Sequence, residues 1–361
     1  MIDGPAAGPG WRLRLEDSFR HTALAGNLAR ELAPERQAPL SPADYGRFGP
    51  RDILVTAHRG RFLKPCPGTP GYNCCGLHLF HFGLGCPLGC RYCILAAYLK
   101  TEALVLFGNI DQGLAEFAAL LDRPAGERPW RFCTGEFTDS LLLDRRTGLA
   151  ERLVALAAGR EALLELKTKT DQVDHLLGLD HRGHTVISFS VNSPEMARTE
   201  EGRAAPLAAR LAAAARAARA GYPVGLHFDP ILYYPGWEKG YAETVELIGR
   251  TLAGARVAWV SLGTFRYLPR LKEIMLARHP GTRIFNGEFI LAGDGKKRYP
   301  RPLRTLMYKS LAESLARVLP AETAVYLCME SPRVWRDVFG QDPGTDGLTD
   351  LLDRRARSLL D

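Results

Sequence analysis

The sequence predicts an α/β fold built as a partial (α/β)6 barrel of the TIM type. Six short apolar runs, several of them rich in β-branched residues, occur at 77–83, 130–134, 163–169, 185–191, 224–228 and 257–263. Stretches with helical periodicity separate these runs, a pattern typical of parallel strands joined by crossover helices. Six such units are too few to close an eight-stranded barrel and favour a curved, open sheet. A chain of 361 residues is long enough to hold this fold as one domain.

The chain before the first barrel strand is predicted to be irregular. Residues 1–50 are rich in Pro, Gly, Ala and Arg, and we interpret them as a poorly packed N-terminal arm with one helix at about 18–32. Residues 52–64 begin like a strand and lead into a loop in which Pro and Gly favour irregular backbone. This loop carries three cysteines, Cys66, Cys74 and Cys75.

Helices are predicted wherever apolar residues recur at helical spacing between the strands. These stretches are 112–121, 148–157, 206–220 and 240–252. The Ala- and Arg-rich segment 207–220 fits an amphipathic helix with its arginines facing water, so we interpret it as ordered. After Pro269 the sequence predicts helices at 270–278 and 303–319 and a short strand at 324–328. We assign 51–330 to the barrel with its C-terminal elements and 331–361 to a charged C-terminal tail.

The composition is that of a globular protein, with 46% hydrophobic and 24% charged residues. The formal net charge of +7 is compatible with a polyanionic partner but does not identify one. Eight cysteines in so long a chain indicate reduced thiols and metal ligands rather than a disulfide framework. The N-terminal sequence has no apolar signal-peptide core, and no apolar run reaches the ~18 residues of a membrane span. We expect a cytoplasmic protein without a membrane partner.

The strongest chemical motif is CPLGCRYC, in which Cys86, Cys90 and Cys93 follow the first barrel strand. Thiolates at this density suit a soft metal centre, because each sulfur turns inward from a short arc. Three thiolates on a [4Fe–4S] cube leave one iron without a protein ligand, and S-adenosylmethionine (SAM) can chelate that iron. The alternatives are structural thiols or a zinc site with His81 or His78 as fourth ligand. A zinc knuckle usually contains paired CxxC halves, which this motif lacks.

Polar residues end four consecutive predicted strands. The second strand leads into Gly135 and Glu136, the third ends with Lys167 and Lys169, the fourth with Ser190 and Asn192, and the fifth with His227 and Asp229. Because parallel strands place their carboxyl ends at one edge, these residues are expected to surround the cysteine motif.

The motif CxxxCxxC with Tyr92 before its last cysteine resembles the radical SAM superfamily. Four segments extend the likeness to the spore photoproduct lyase family, from about Cys86 to Tyr308: LKTKTDQVDHLL, HTVISFSVNS, AARAGYPVGLHFDPILYYPGWEKGY and FRYLPRLKEIMLARHPGTR. The resemblance implies a partial barrel with a SAM-bound [4Fe–4S] cluster that yields a 5′-deoxyadenosyl radical. It also implies repair of a methylene-bridged thymine dimer in DNA, with a flavodoxin or ferredoxin as electron donor.

The resemblance also implies roles for individual residues. Cys86, Cys90 and Cys93 would be the cluster ligands, and Gly135-Glu136 matches a motif whose carboxylate accepts hydrogen bonds from the SAM ammonium. Contacts with SAM are expected from Tyr92, Lys169, Ser190 and Asn192. Arg266 falls in the segment that approaches DNA.

One departure from the family concerns the hydrogen donor. Lyases of this family use a cysteine near the end of the second strand to return a hydrogen atom to the product radical, and Glu136 occupies that place here. A carboxylate cannot replace a thiol in this step because its O–H bond is far stronger than S–H. Candidate catalytic residues are Glu136, Cys133 and Tyr308, with Tyr98, Cys74, Cys75 and Cys328 as further possible hydrogen sources. We expect a different lesion or product at least as readily as the bridged dimer.

Two further clusters remain open to interpretation. The segment 296–304 contains five cations and Tyr299, which fits either phosphate contacts or a solvated surface loop. The five cations are Lys296, Lys297, Arg298, Arg301 and Arg304. Cys66, Cys74 and Cys75 could bind an auxiliary metal or be structural thiols, and binding by both adjacent cysteines would require a turn.

Three functions therefore remain. The first is a radical SAM enzyme acting on a DNA photolesion or nucleotide. The second is a radical SAM enzyme acting on a small molecule or peptide. The third is a zinc-stabilised nucleic-acid-binding module.

Overall fold

The computed structural model describes residues 10–123, 126 and 129–361, so residues 1–9 of the predicted arm lie outside the described part. The strands are β1 Arg12–Glu16, β2 Pro34–Gln37, β3 Asp52–Thr56, β4 Leu63–Pro65, β5 His78–Phe80, β6 Gly83–Leu84, β7 Leu104–Phe107, β8 Trp130–Cys133, β9 Ala162–Thr168, β10 Thr185–Ser190, β11 Val224–Ile231, β12 Val257–Thr264, β13 Arg266–Tyr267, β14 Ile290–Leu291, β15 Lys297–Arg298 and β16 Ala324–Leu327.

The α-helices are α1 Ala23–Ala29, α2 Leu95–Tyr98, α3 Ile110–Leu121, α4 Asp144–Thr147, α5 Leu149–Ala157, α6 Pro194–Glu200, α7 Leu207–Arg219, α8 Trp237–Thr251, α9 Pro269–Arg278, α10 Arg301–Ala316, α11 Pro332–Phe339 and α12 Gly344–Leu360. Two short 3-10 turns cover Asp17–Phe19 and Tyr45–Arg47. None of the helices in the described ranges has the length and apolarity needed to span a bilayer.

The predicted half-barrel is confirmed as an eight-stranded sheet in the order β16-β12-β11-β10-β9-β8-β5-β4. Neighbouring strands are parallel from β5 to β16, and β4 pairs antiparallel with β5. The six predicted strands correspond to β5, β8, β9, β10, β11 and β12. The strand predicted near residue 324 is β16, which extends this sheet beyond six units.

The interpretation of residues 1–50 as a poorly packed arm is wrong for residues 10–50. Here β1 pairs with β2 and β3 in a second sheet, in the order β2-β1-β3-β7-β6. Leu13, Leu24 and Leu28 are buried in the core beneath it. The predicted helix is shorter than expected, since α1 covers seven residues after its N-cap Thr22. The prediction rested on the Pro- and Gly-rich composition of the whole segment. It overlooked the alternating sequence RLRLE, which forms β1 with both leucines buried.

The C-terminal segment is likewise not a free tail. Helices α11 and α12 are amphipathic, and Trp335, Leu348 and Leu352 are buried. A buried ion pair joins Asp353 on α12 to Arg131 on β8, with 2.5 Å between Oδ1 and Nε. The charged residues that suggested a tail occupy the outer face of a packed helix.

The two sheets together position the cysteine motif. Strand β6 ends two residues before Cys86 and pairs with β7, which follows the motif, so the N-terminal sheet holds both ends of the loop. Added Cβ atoms at Gly83 and Gly85 would lie only 2.5 and 2.6 Å from the carbonyl oxygens of Val105 and Ala103. This close backbone approach requires glycine and fixes where the loop begins.

Candidate active site

The CPLGCRYC motif lines an open cavity of about 250 Å³ at the carboxyl ends of the barrel strands. Cys86, Cys90 and Cys93 all face this cavity, together with residues that follow β8, β9, β10 and β12. Burial raises the pKa of all three thiols, that of Cys90 to about 12, so they are protonated at neutral pH until a metal displaces their protons. The loop therefore presents three thiols, one buried and two partly buried, to the same cavity.

The spacing of these sulfurs favours a cluster over a single ion. In the described part of the chain, three potential metal-ligand atoms lie within 4.8 Å of one another at Cys66, Cys74 and Cys75. The sulfurs of Cys86, Cys90 and Cys93 do not form such a group, either alone or with a described histidine. His78 packs against Trp130, and His81 packs against Phe137 and Phe107. A cube places each thiolate on a different iron, so it suits sulfurs that stand too far apart for one zinc ion.

The segment 200–203, at the end of α6, forms a clasp: its backbone hydrogen-bonds to the cysteine loop on the side away from the cavity. The Arg91 N–H donates to the Glu200 carbonyl at 2.8 Å, and the Arg203 N–H donates to the Leu88 carbonyl at 2.7 Å. Gly202 has φ +53°, and a Cβ there would lie 2.4 Å from the Leu88 oxygen. Any other residue at 202 would push the loop away from its position.

A buried charge network links this clasp to the cavity, and the sequence analysis missed its centre, Glu201. The Glu201 carboxylate accepts hydrogen bonds from the Tyr92 hydroxyl and the Arg210 guanidinium and lies 3.9 Å from Lys169 Nζ. Burial opposes its charge, but Lys169 and Arg210 outweigh burial and lower the pKa of Glu201. Lys169 also lies over the Tyr92 ring, 5.5 Å from its centroid. The network fixes one cation at the cavity wall beside the cysteine loop.

Opposite charges lie across the same cavity, as the strand ends predicted. Gly135 adopts φ +82°, and its backbone packs against the Lys167 carbonyl. The turn places Glu136 in the cavity with its side chain 49% exposed, 3.7 Å from Lys167 Nζ. Burial opposes the charge of Lys167, but Cys133, Glu136 and Glu165 outweigh it and raise the lysine pKa. The cavity thus offers one half-exposed carboxylate and two ammonium groups, of which one lies near that carboxylate and the other is held by the buried network.

Asp139 is a second residue that the sequence analysis did not assign. Its carboxylate accepts from the Lys169 N–H at 2.7 Å, from the Thr168 hydroxyl and from the N–H groups of Leu141 and Leu142. Burial raises the pKa of Asp139 against the effect of these donors. The Asp139 carboxylate therefore joins the loop after β8, which carries Glu136, to the end of β9, which carries Lys169.

Ser190 and Asn192 do not share the expected role. Ser190 lines the cavity. Asn192 is buried behind the cavity wall: it accepts from the Tyr241 hydroxyl at 2.7 Å and donates to the Pro230 carbonyl at 3.2 Å and to the Glu201 carboxylate at 3.4 Å. Its side chain supports the backbone around Pro230, where the Asp229–Pro230 peptide bond is cis.

Arg266 lies in the cavity rather than on an outer surface. Its guanidinium forms two hydrogen bonds with the Asp229 carboxylate, at 3.0 and 3.1 Å. Both side chains line the cavity, on the wall formed by β11 and by the start of β13. Arg266 Nη2 also lies 3.8 Å from Cys328 Sγ, which places that thiol beside the cavity.

Cys133 and Tyr308 do not line the cavity. Cys133 is buried on β8, and its sulfur contacts the Thr134 carbonyl at 3.5 Å. The Tyr308 hydroxyl is enclosed between the Thr264 N–H and the Glu330 carboxylate, at 2.8 and 2.9 Å. Neither side chain forms a hydrogen bond to a described residue that lines the cavity.

The interpretation of 296–304 as a phosphate-binding loop is wrong for three of its cations. Lys296 and Arg298 are buried and pair with Asp294, and Arg304 is buried and pairs with Glu330 at 2.9 Å. Asp294, nearby in the sequence, and Glu330, 26 residues from Arg304, neutralise charges that were predicted to be solvated or to contact phosphate. Arg301 is partly exposed and pairs with Asp337. Lys297 is partly exposed and remains a prediction as a phosphate contact.

Comparison with known proteins gives one consistent family. The family described as spore photoproduct lyase matches residues 78–323. A spore photoproduct lyase of a Geobacillus species is 31% identical over 204 residues, which is 55% of this chain and 60% of that protein. The Bacillus subtilis spore photoproduct lyase is 31% identical over 174 residues, 47% of this chain and 50% of that protein. The aligned segments thus span about half to three-fifths of these two relatives.

Solved structures of spore photoproduct lyases share the fold. One, complexed with dinucleoside spore photoproduct, has a TM-score of 0.75 at 22% identity and covers 87% of this chain and 98% of its own. A variant with bound AdoMet (SAM) and dinucleoside spore photoproduct has a TM-score of 0.76 at 21% identity, covering 89% of this chain and 99% of its own. The partial barrel and its extensions are therefore common to both.

Proposed function

Since this chain belongs to the spore photoproduct lyase family, we propose that it is a radical SAM enzyme that repairs a thymine photolesion of DNA. Cys86, Cys90 and Cys93 would hold a [4Fe–4S] cluster, and SAM would occupy the cavity beside them. When bound and reduced, the pair supplies a 5′-deoxyadenosyl radical. The observation that carries the proposal is that three cysteines and two opposite charges converge on one cavity.

The charges of this cavity match the zwitterionic methionine part of SAM. Glu136 is the exposed carboxylate and would accept hydrogen bonds from the SAM ammonium. Lys169 is held at the opposite wall by Glu201 and Tyr92 and would pair with the SAM carboxylate. Ser190 is a buried hydroxyl that also lines the cavity and would donate a further hydrogen bond. The buried network holds Lys169, and Asp139 ties the loop of Glu136 to the end of β9, so the site requires little rearrangement to bind the ligand.

Support for the substrate comes from the relatives, whose names and bound dinucleoside identify spore photoproduct as their lesion. In this chain Arg266 and Asp229 would face the lesion, because they line the part of the cavity that belongs to β11 and β13. The burial of Lys296, Arg298 and Arg304 removes one reason to expect a DNA contact there. A small molecule or a peptide is therefore the alternative substrate, and the incubation with dinucleoside spore photoproduct described below distinguishes it from a DNA lesion.

Hydrogen return would fall to Cys328 rather than to Cys133 or Tyr308. Cys328 follows β16, and its sulfur contacts the Arg266 side chain that lines the cavity. Burial raises the pKa of Cys328 to about 12, so the group is a thiol with a hydrogen atom to donate. The S–H bond would break homolytically, the product carbon radical would gain the C–H bond, and a sulfur radical would remain on Cys328. One electron from the external reductant and one proton would then restore the thiol.

The test is anaerobic incubation of the reconstituted protein with SAM, dithionite and dinucleoside spore photoproduct. Thymine dinucleoside and 5′-deoxyadenosine are quantified together, with the Cys86→Ala, Cys90→Ala, Cys93→Ala triple variant as control. We expect both products from the native chain and neither from the variant. Replacing dithionite by a flavodoxin or ferredoxin with its reductase tests the expected electron donor.

Two results would contradict the proposal at different levels. No 5′-deoxyadenosine from a protein that carries four irons would reject radical SAM chemistry. Cleavage of SAM without conversion of either the dinucleoside or UV-irradiated DNA would reject the lesion and favour a non-DNA substrate.

A further inference from the structure

A second thiol cluster lies outside the cavity, at the loop between β4 and β5. The sulfurs of Cys66, Cys74 and Cys75 all lie within 4.8 Å of one another, and none of these residues lines the cavity. All three are reduced and partly exposed. We propose that these three thiolates bind a single zinc ion that fastens this loop, independently of the iron–sulfur cluster.

The local backbone explains how two adjacent cysteines face the same point. Cys66 follows β4, and its N–H donates to the Leu77 carbonyl at 2.7 Å, which closes the neck of the loop. Gly76 has φ +70° and turns the chain directly after Cys75. Because the sulfurs of Cys74 and Cys75 lie within 4.8 Å of each other and of the Cys66 sulfur, the alternation of a regular strand, which would separate the two side chains, does not hold here.

Two glycines close to the sulfurs shape the loop. Gly68 and Gly76 each stand two residues after a cysteine of the cluster, and both adopt positive φ, +56° and +70°. A Cβ at Gly68 would lie 3.4 Å from Cys74 Sγ. The two Cys-x-Gly turns therefore leave room for a ligated thiolate.

Contacts with distant elements hold the loop in place. The Asn73 N–H donates to the Glu330 carbonyl at 3.0 Å, and its side chain donates to Asp342 at 2.9 Å. The Cys75 carbonyl accepts from Arg131 at 2.6 Å, and Arg298 covers the Tyr72 ring. The thiols are therefore pre-positioned by the fold, which lowers the entropy cost of binding an ion.

Sulfur-only ligation selects the kind of metal. Thiolates disfavour magnesium and calcium, which prefer oxygen, and select zinc or another thiophilic ion. A tetrahedral zinc ion with Zn–S bonds of about 2.3 Å requires sulfurs roughly 3.8 Å apart, which the loop reaches with small side-chain rotations. The described residues supply three ligands, so a water molecule would complete the coordination. The ion would join β4 and β5 at the edge of the barrel sheet, next to the start of α12.

The experiment separates this ion from the cluster by using the Cys86→Ala, Cys90→Ala, Cys93→Ala variant of the full chain. The protein is produced anaerobically with zinc, and metals are counted after gel filtration. We expect about one zinc per chain and no iron in this background. Adding Cys66→Ser or Cys74→Ser is expected to abolish zinc binding, whereas adding Cys133→Ser, a buried cysteine outside both clusters, leaves it unchanged.

Cobalt substitution in the same background gives a second readout that requires no further substitution in the loop. Cobalt bound by thiolates produces an intense sulfur-to-metal charge-transfer band, which zinc then displaces. Absence of both zinc and this band would overturn the proposal. So would a disulfide among Cys66, Cys74 and Cys75 in the anaerobic protein by mass spectrometry, or zinc retained in both serine variants while circular dichroism shows them folded.

Discussion

At the scale of single residues, the site depends on groups that hold other groups. The Glu201 carboxylate does not contact the three predicted cluster ligands. It instead holds the side chains of Tyr92 and Lys169 in one buried network. Asp139 does the same for the loop that carries Glu136. Burying a carboxylate without hydrogen-bond donors or a counter-charge costs free energy of folding. Glu201 and Asp139 each have several donors, and these contacts fix the geometry of the groups around them.

Lys169→Met is expected to weaken SAM binding by ~1.5–3 kcal/mol, the range for a hydrogen bond to a charged group. The reason is that Lys169 is the cation that the Glu201 network holds at the cavity wall. Equilibrium binding of SAM to the reconstituted protein measures the change. Lys297→Met on the partly exposed β15 serves as the control. Equal affinity in the Lys169 variant and the native chain would reject this placement.

Cys328→Ala is expected to leave SAM cleavage intact while lowering the yield of repaired product and raising that of side products. The thiol beside Arg266 is the hydrogen donor in our proposal, so its loss affects the step after lesion cleavage. Product analysis by mass spectrometry, with deuterium introduced from solvent through the thiol, follows this step. The matched variant is Cys133→Ala, since the Cys133 thiol contacts Thr134 and not a residue that lines the cavity. A normal product pattern in the Cys328 variant would place the donor elsewhere.

At the scale of elements, the N-terminal sheet is part of the folded core and braces the cysteine loop through β6 and β7. The edge of the barrel sheet is held in a similar way by α12 and by the loop that contains the second thiol cluster. Both terminal segments are therefore structural supports of the site rather than appendages.

Leu13→Ala on β1 is expected to lower the free energy of unfolding by ~2–5 kcal/mol, as for other fully buried leucines. Arg36→Ala on β2, an exposed position, provides the comparison with little expected change. Chemical denaturation of the apo-protein measures both variants. A negligible effect of Leu13→Ala would restore the view that this segment is loosely packed.

Arg304→Ala and Lys297→Ala should separate stability from nucleic-acid binding. Removing Arg304 leaves Glu330 buried and unpaired, which typically costs ~3–5 kcal/mol of stability. Lys297 has the more accessible charge, so its removal should reduce the log–log salt slope of DNA binding by up to ~0.9 with stability unchanged. Fluorescence anisotropy with duplex DNA at several salt concentrations tests this. A salt slope that responds to Arg304 in a folded variant would contradict the assignment.

At the scale of the whole molecule, a buried polar centre connects the strands below the cavity. Glu165 on β9 accepts hydrogen bonds from Ser188 on β10, His227 on β11 and Trp259 on β12. Burial raises the pKa of Glu165, but His227, Lys167 and the Ser188 hydroxyl outweigh it and lower the pKa below its ordinary value of 4.5. Four neighbouring strands thus share one ionised carboxylate.

Acid should therefore destabilise the barrel in part through Glu165. A carboxylate whose folded pKa is lowered contributes its full stability above the unfolded pKa and loses it as the pH falls through the folded value. Glu165→Gln is expected to be less stable than the native chain at pH 7, and the two stabilities should converge as the pH falls below 4.5. Denaturation curves measured at pH 7 and in steps below pH 5 test this. Parallel pH profiles for the two proteins would show that Glu165 does not carry this effect.

The sequence by itself determined the barrel and the chemistry at its rim. Apolar runs and helical spacing are local patterns, and they placed the six strands and the helices between them within a few residues. The cysteine spacing and the strand-end residues Gly135, Glu136 and Lys169 were identified for the same reason: parallel strands bring their carboxyl ends to one edge whatever the remaining packing.

Only the tertiary structure decided which charges are free and which terminal segments are packed. Lys296, Arg298 and Arg304 were interpreted as surface cations because their partners, Asp294 and Glu330, are recognised only once the chain is folded. Glu201 and Asp139 were not assigned because their roles arise from contacts across many residues of sequence. For Cys66, Cys74 and Cys75 the sequence left open whether the sulfurs meet, and the folded loop brings them together. Burial, ion pairing and sulfur spacing depend on the folded chain, and a local sequence pattern does not contain them.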